Sequence, residues 1–173
     1  FGDGQLPAPA EATFLPYLQG ERTPIWDPTA RGAFVGLSIG TDVGELARSV
    51  FEGVACGARQ VVETLEDVYG RKAESLRAVG GGTVNRRWMR MKATFLGRPI
   101  EILHFQECGV LGAAMLAGVG AGIFENYEGA LAATAHLREA REIEPEESLI
   151  SAYADKYQAY TQLYPHLKAW SEA

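Results

Sequence analysis

A single long amphipathic stretch constrains the fold of this chain more than any other feature of its sequence. From residue 42 to residue 68, apolar side chains recur at the i, i+3, i+4, i+7 spacing of a helix with one buried face. Asp42 at its start is suited to cap the helix, and Gly70 beyond its end is a typical stop. Gly53 and Gly57 lie one turn apart, so we expect a flat strip where another element approaches closely.

The segments after this helix predict an α/β unit. Two short β-compatible runs, 75–79 and 99–103, are separated by a glycine turn and a second amphipathic helix. A glycine-rich, uncharged helix from about residue 107 to 121 follows, and we expect it to be buried. Because two strands joined through a helix should lie parallel, the prediction is a helix-rich α/β fold with a short parallel sheet. Two further helices, near 126–135 and from about residue 148, complete it.

This count of elements leaves a deficit of strands. The proline-rich residues 1–40 favour loop with short extended pieces. A parallel pair of short strands does not form a stable sheet alone, since about three strands are needed. We therefore expect further strands from the N-terminal loops, from a partner or from residues upstream of Phe1. Since the chain begins with Phe1 rather than Met, we expect residues 1–173, as a single domain, to be a piece of a longer protein.

Composition and charge narrow the functional classes. The 173 residues are 47% hydrophobic with a net charge of −6, which is typical of a globular domain and disfavours nucleic-acid binding. Cys56 and Cys108 lie far apart in apolar stretches, so both are predicted to be buried thiols in a reducing cytoplasm. No signal peptide is evident. The uncharged residues 108–124 favour a buried helix over a membrane span, because they are short and glycine-rich.

The glycine triplet at residues 80–82 is the first candidate for chemistry. Without a Cβ atom, its backbone can approach a flat ligand such as a purine, while Asn85 and the free amides of the following helix offer polar contacts. The triplet matches neither the dinucleotide-binding fingerprint nor the P-loop. The alternative is a plain tight turn in which Asn85 is only the helix N-cap.

A charged, proline-punctuated loop at residues 20–32 is the second candidate. Loops that combine charge with an aromatic residue such as Trp26 often carry function. The alternative is an internally salt-bridged surface loop. The charged residues of the loop are Glu21, Arg22, Asp27 and Arg31.

The remaining polar residues form no recognisable catalytic set. Glu52 and Glu63 fall on the polar side of the long helix and are predicted to be solvated or paired. The three histidines lack the spacing of a metal site, so no metal ligand is assigned. Aromatic residues of the last helix recur every three or four positions, which indicates packing. They are Tyr153, Tyr157, Tyr160 and Tyr164.

Several stretches taken together resemble one protein family. They are YLQGERTPIWDPTARGAFVGL at 17–37, LARSVFEGVA at 46–55, AVGGGTVNRRW at 78–88 with FLGRPIEI at 95–102, and ECGVLGAAMLAGVGAGIF at 107–124. In this order they are similar to the C-terminal lobe of the FGGY carbohydrate kinases. The GERTP motif is most similar to the xylulokinase branch. The resemblance implies that the fold of this chain is half of an actin-like, ribonuclease-H-like ATPase. The two lobes of such an ATPase close over ATP and a sugar.

The resemblance also implies functional residues. Gly81 and Gly82 match the family's adenosine-contacting turn, and Asn85 matches the amide residue that follows it. The implied reaction is ATP-dependent phosphorylation of a sugar or polyol with Mg²⁺, a ketopentose such as xylulose being favoured. The family's catalytic aspartate and sugar pocket have no counterpart here, so no catalytic residue is assigned and the chain alone is expected to be inactive. The departures from the family pattern are Thr94, where an acidic residue is common, and Asp42, where histidine is frequent.

Two other hypotheses stay open at this point. The first is a non-catalytic nucleotide-binding or scaffolding relative of the sugar kinases, which lacks the catalytic base. The second is a free-standing helical interaction domain that borrows strands by oligomerising. The expected partner is a sugar or polyol, without nucleic acid or membrane, and a homodimer is among the assemblies left open.

Overall fold

The computed structural model describes residues 4–171. Its strands are β1 (Thr13–Leu15), β2 (Ala33–Val35), β3 (Leu76–Ala78), β4 (Ile100–Leu103) and β5 (Ala140–Ile143). Its helices are α1 (Val43–Tyr69), α2 (Arg86–Leu96), α3 (Cys108–Gly120), α4 (Tyr127–Ala133) and α5 (Ile150–Ser171). Strands β1 and β2 form an antiparallel pair, and a second sheet has the order β3-β4-β5.

Helix α1 has the boundaries that its sequence predicts. The carboxylate of Asp42 accepts a hydrogen bond from the amide of Glu45 at 2.8 Å, which caps the N-terminus. The helix ends at Gly70, whose φ of 65° lies in the left-handed region that favours glycine. The flat strip predicted at Gly53 is present, since an ideal Cβ there would lie 2.2 Å from the carbonyl oxygen of Phe14. Strand β1 therefore touches α1 backbone to backbone.

The second sheet is mixed rather than wholly parallel. Strands β3 and β4 pair in parallel, with Leu76 opposite Ile100, as predicted from the helix between them. Strand β5 was not predicted, and it pairs antiparallel to β4 with Ile143 opposite Ile100. Its sequence, AREI, buries only Ile143, so it lacks the alternation that identifies a strand. This third strand supplies part of the deficit counted from the sequence.

The tyrosines of α5 form the centre of the main core, as their spacing predicts. Tyr153, Tyr157 and Tyr160 are buried, and the ring of Tyr153 meets Phe95 edge-on with centroids 4.6 Å apart. Cys56 of α1 is buried in the same cluster, which confirms one of the two predicted buried thiols. A second cluster lies between α2 and the mixed sheet. It consists of Met89, Ala93, Ile100, Ile102 and Ile143.

Polar side chains hold the N-terminal segment against this core. Both carboxylate oxygens of Glu52 accept from the amide of Ala10, at 3.0 and 3.1 Å, and Glu45 accepts from the amide of residue 11 at 2.8 Å. The ammonium of Lys156 donates to the carbonyls of Ala10 and Ala12 at 2.6 and 2.9 Å. Glu52 is 1% exposed, and its carboxylate also lies 3.7 Å from the guanidinium of Arg48, so of the two predicted states, solvated or paired, it is the paired one. Burial raises its pKa to about 7.

Helix α3 has the predicted length but not the predicted burial. Gly118 is the buried residue of this helix, whereas Val110 and Leu116 are 64% and 59% exposed. Cys108 is half-buried rather than buried. A helix that is apolar on all sides does not show which neighbour covers it, and among the described elements α3 packs mainly on α4. None of the described helices is both long enough and apolar enough to cross a membrane.

Candidate functional site

The glycine triplet forms a hydrogen-bonded turn between β3 and α2. Gly80 leaves β3 with a φ of 89°, a left-handed conformation that favours glycine. Residues Gly81–Val84 then make one turn of 3₁₀ helix. Thr83 is buried, and its hydroxyl donates to the carbonyl of Gly80 at 2.8 Å. The turn is therefore closed by its own hydrogen bonds while Gly81 and Gly82 remain exposed.

Asn85 joins the turn to α2. Its backbone is extended and its side-chain oxygen accepts from the amide of Trp88 at 3.0 Å, so it is the N-cap of α2. This is the structural alternative considered for Asn85 from the sequence. The cap uses only the amide oxygen. Within residues 4–171 the side-chain nitrogen has no hydrogen-bond partner, so its two donors stay available.

Gly81 and Gly82 differ in whether the packing of the described residues explains a glycine at the position. An ideal Cβ at Gly82 would lie 3.3 Å from Cζ3 of Trp88, a tight contact within the chain. At Gly81 an ideal Cβ would meet no described heavy atom within 4 Å. Neither its backbone angles nor its packing against the described residues requires glycine at that position. A ligand or another segment that lies against the turn would account for it.

An open cleft of about 520 Å³ lies beside the turn, within the size range of small-molecule sites. Its aromatic floor is formed by Phe51 and Trp88, whose rings meet edge-on at 5.3 Å. Sequence reasoning singled out neither aromatic as a site residue; their helical phase alone marks them as core. The lining residues are Phe51, Gly81, Gly82, Val84, Asn85, Arg86, Arg87 and Trp88. None of the described residues that line the cleft carries a carboxylate.

The charged loop at residues 20–32 is fastened by its backbone and by α5. Glu21 and Asp27 exchange both backbone hydrogen bonds, at 2.8 and 2.7 Å, and the Glu21 carboxylate accepts from the amides of Arg22 and Thr23 at 2.9 Å each. Trp26 at the tip is 77% exposed. The loop is thus a rigid projection, and the structure does not bring it into the cleft beside the glycine turn.

Asp27 anchors this loop. Its carboxylate accepts from the amide and hydroxyl of Thr29 and from the phenol of Tyr164. Lys168 of α5 lies 3.5 Å away. These hydrogen bonds hold the pKa of Asp27 well below its usual range, and those from Thr29 have the largest effect. The alternative of an internally salt-bridged loop is wrong for Asp27, because its ion pair is with α5.

The other residues weighed from the sequence have structural partners. Glu63 pairs with Arg59 at 2.7 Å, which confirms that it is paired. Thr94 is buried, and its hydroxyl accepts from the amide of Glu146 at 2.9 Å. Among residues 4–171, no group of three or more histidines, cysteines or carboxylates could hold a metal ion.

Comparison with known proteins assigns the class. Residues 4–121 match the model of the FGGY family of carbohydrate kinases, C-terminal domain, and the chain belongs to this family. It is 34% identical over 151 residues to a xylulose kinase of Lactococcus lactis, covering 87% of this chain and 30% of the relative. It is 39% identical over 115 residues to glycerol kinase 2 of Thermotoga maritima, covering 66% of this chain and 23% of the relative.

The solved structures agree with the sequence relatives. A crystal structure described as a xyloylose kinase from Brucella ovis superposes with a TM-score of 0.83 and 39% identity, over 96% of this chain and 34% of that one. The predicted fold, part of the C-terminal lobe of an actin-like ATPase, is therefore confirmed. The chain spans about a third or less of the length of these relatives.

Proposed function

We propose that this segment supplies the adenosine-binding side of a kinase that transfers the γ-phosphoryl group of ATP to a hydroxyl of a sugar or polyol. Membership of the FGGY family supports the kinase class. The observation that carries the adenosine site is Gly81, which is exposed beside a cleft of about 520 Å³ and for which the described part of the chain gives no reason to be glycine. A flat purine against this backbone supplies that reason.

The polar groups of the cleft suit a nucleoside. The side-chain nitrogen of Asn85 offers donors at the edge of the turn. Arg86, exposed at the start of α2, adds a positive charge beside the first free amides of that helix, which favours an anion. Gly81, Gly82 and Asn85 are thus the proposed nucleotide-binding residues. Purine binding by backbone and amide groups is consistent with the absence of either phosphate-loop motif.

Xylulose or a similar ketopentose is the favoured acceptor. The xylulose kinase relative is matched over more of this chain than the glycerol kinase relative. The residues proposed for the nucleotide line this cleft, and selectivity for the sugar is proposed to come from residues outside this chain. Glycerol is the alternative acceptor.

In the proposed reaction this chain positions the nucleotide and does not supply the base. Phosphoryl transfer depends mainly on positioning an in-line attack and on neutralising charge. Mg²⁺, when bound, would neutralise charge on the phosphates, but the described residues offer no ligand cluster for it. Because no carboxylate among residues 4–171 lines the cleft, the purified 173-residue chain should form no ADP above background when xylulose and ATP are added. Sugar-dependent ADP formation by this chain would contradict the assignment.

Gly81→Val in the full polypeptide that carries this segment tests the adenosine site. An ideal Cβ at Gly81 has no described atom within 4 Å, so the fold should tolerate a side chain there. It would occupy the face proposed for the purine, and we expect the KM for ATP to rise roughly tenfold with little change in kcat. Gly120→Val is the matched control, because Gly120 likewise has no described atom within 4 Å of an ideal Cβ.

The outcomes of this test separate the hypotheses. An unchanged KM for ATP in Gly81→Val would reduce the triplet to a structural turn. ATP binding by the wild type without any turnover of sugars or polyols would instead support the non-catalytic relative considered from the sequence.

A further inference from the structure

Trp88 joins the glycine turn to the interior of the domain. Its Cζ3 atom lies 3.3 Å from the position of an ideal Cβ on Gly82. Its backbone amide donates to the side chain of Asn85 at 3.0 Å. Its indole Nε1 donates to the carbonyl of Phe51 in α1 at 3.2 Å. The same residue therefore contacts two of the proposed nucleotide-binding residues and the longest helix.

The indole is held on several sides. The ring of Phe51 meets it edge-on, with centroids 5.3 Å apart and planes at 76°. The ammonium of Lys92 lies 3.7 Å from the ring centroid, in the geometry of a cation–π interaction. The ring is half-buried and packs against the main core. Its edge therefore has a fixed position relative to α1.

The turn itself has fewer restraints on its outer side. Its closing hydrogen bonds both run to the carbonyl of Gly80, from the amide and hydroxyl of Thr83 at 3.0 and 2.8 Å. Gly81 and Gly82 are exposed, and glycine has more backbone freedom than any other residue. The contact between Gly82 and Trp88 thus limits how far the turn can move toward the domain.

We propose that Trp88 is a positioning residue for the nucleotide, acting through Gly82 and Asn85. Its ring edge sets the depth of the glycine turn, and its amide holds the side-chain oxygen of Asn85, a residue that lines the cleft. This inference rests on the proposed adenosine site. It extends that site to a residue that supports the glycine turn from the side of the domain interior. Preorganisation of this kind affects nucleotide affinity more than the chemical step.

The test compares Trp88→Leu and Trp88→Phe in the full polypeptide that carries this segment. Leucine removes the ring edge and the Nε1 donor, so we expect the KM for ATP to rise roughly tenfold, with kcat within about twofold and the KM for the sugar unchanged. Phenylalanine keeps an aromatic ring beneath Gly82 and should restore most of the affinity for ATP. It also keeps the proposal testable if the leucine variant does not fold.

Phe95→Leu on the same helix is the matched control. Phe95 is a buried aromatic that packs against Tyr153 and does not line the cleft. It should lower thermal stability without changing the KM for ATP of the folded enzyme. A purely structural role for Trp88 predicts this same pattern for Trp88→Leu.

Fluorescence and ADP binding separate failure of this inference from failure of the proposed function. Wild-type polypeptide should bind ADP and change its tryptophan emission, and that change should be lost in Trp88→Phe while ADP still binds. If the wild type does not bind ADP, the adenosine site and the role of Trp88 both fall. If it binds ADP and both Trp88 variants keep the wild-type KM for ATP, only the positioning role falls.

Discussion

Replacing Gly53 by alanine is expected to destabilise the fold, although alanine is the better helix former. The new Cβ would lie 2.2 Å from the carbonyl oxygen of Phe14 and 3.1 Å from its carbonyl carbon. Carbon and oxygen atoms ordinarily approach no closer than about 3.3 Å even in favourable contacts. Helix α1 and strand β1 would therefore have to separate by about 1 Å at this point.

Little in the surroundings allows this separation. Phe14 and Leu15 of β1 are buried, and the segment before them is held by Glu52 and Lys156 through the peptide groups of Ala10. Overpacking of this kind costs about 3 kcal/mol at the upper end of its usual range, and the gain in helix propensity offsets about 1 kcal/mol. The net loss in the free energy of unfolding should be about 2 kcal/mol.

Gly57→Ala is the matched control on the same helix. Its ideal Cβ would lie 3.7 Å from the hydroxyl of Tyr160, an ordinary contact. The propensity gain should then appear unopposed as a stabilisation of about 1 kcal/mol. Urea unfolding of the two variants should thus differ by about 3 kcal/mol at constant m-value. Equal stability of the two variants would refute the argument that β1 lies against Gly53.

Two further predictions concern carboxylates of opposite behaviour. The pKa of Glu52 is raised by burial from 4.5 to about 7, so its contribution to stability is present below pH 4.5 and is lost as the pH rises through 7. Glu52→Gln removes this titration. Measured by urea unfolding, the free energy of unfolding of the variant relative to the wild type should improve by about 3 kcal/mol between pH 4.5 and pH 8. A difference between variant and wild type that does not vary with pH would contradict the burial argument. The pKa of Asp27 is lowered from 3.8, first by its hydrogen bonds from Thr29, so its contribution is present above pH 3.8 and is lost as the pH falls through the folded value. Asp27→Asn should therefore lower the melting temperature at pH 7 and lose part of this deficit in acid, whereas an identical deficit at pH 7 and pH 3 would exclude a role for the charge.

Local signals explain the elements that sequence analysis identified correctly. Helix α1 follows from continuous periodicity with a capping aspartate and a terminal glycine, all of which act within a few residues. The order of β3, glycine turn, α2 and β4 follows in the same way, and the parallel pairing follows from the helix that connects the two strands. The glycine triplet and Asn85 were recognisable because their chemistry depends on residue type at adjacent positions.

Contacts between distant segments decided the rest. Glu52 lies on the polar side of its helix by spacing, yet it is buried because the amide of Ala10, 42 positions away, reaches its carboxylate. Asp27 finds its partner in Tyr164, 137 positions away. Strand β5 forms because β4 offers an open edge, and the exposure of α3 depends on which neighbours cover it.

Trp88 shows the same division within the candidate site. By sequence it is one apolar position of an amphipathic helix, equivalent to its neighbours on the stripe. Only the packing of α2 on α1 brings its indole to the carbonyl of Phe51 and its ring edge beneath Gly82. Residue type and spacing thus identified the turn that is proposed to bind a nucleotide, whereas tertiary packing decided what supports that turn, because the support comes from a helix more than thirty residues away.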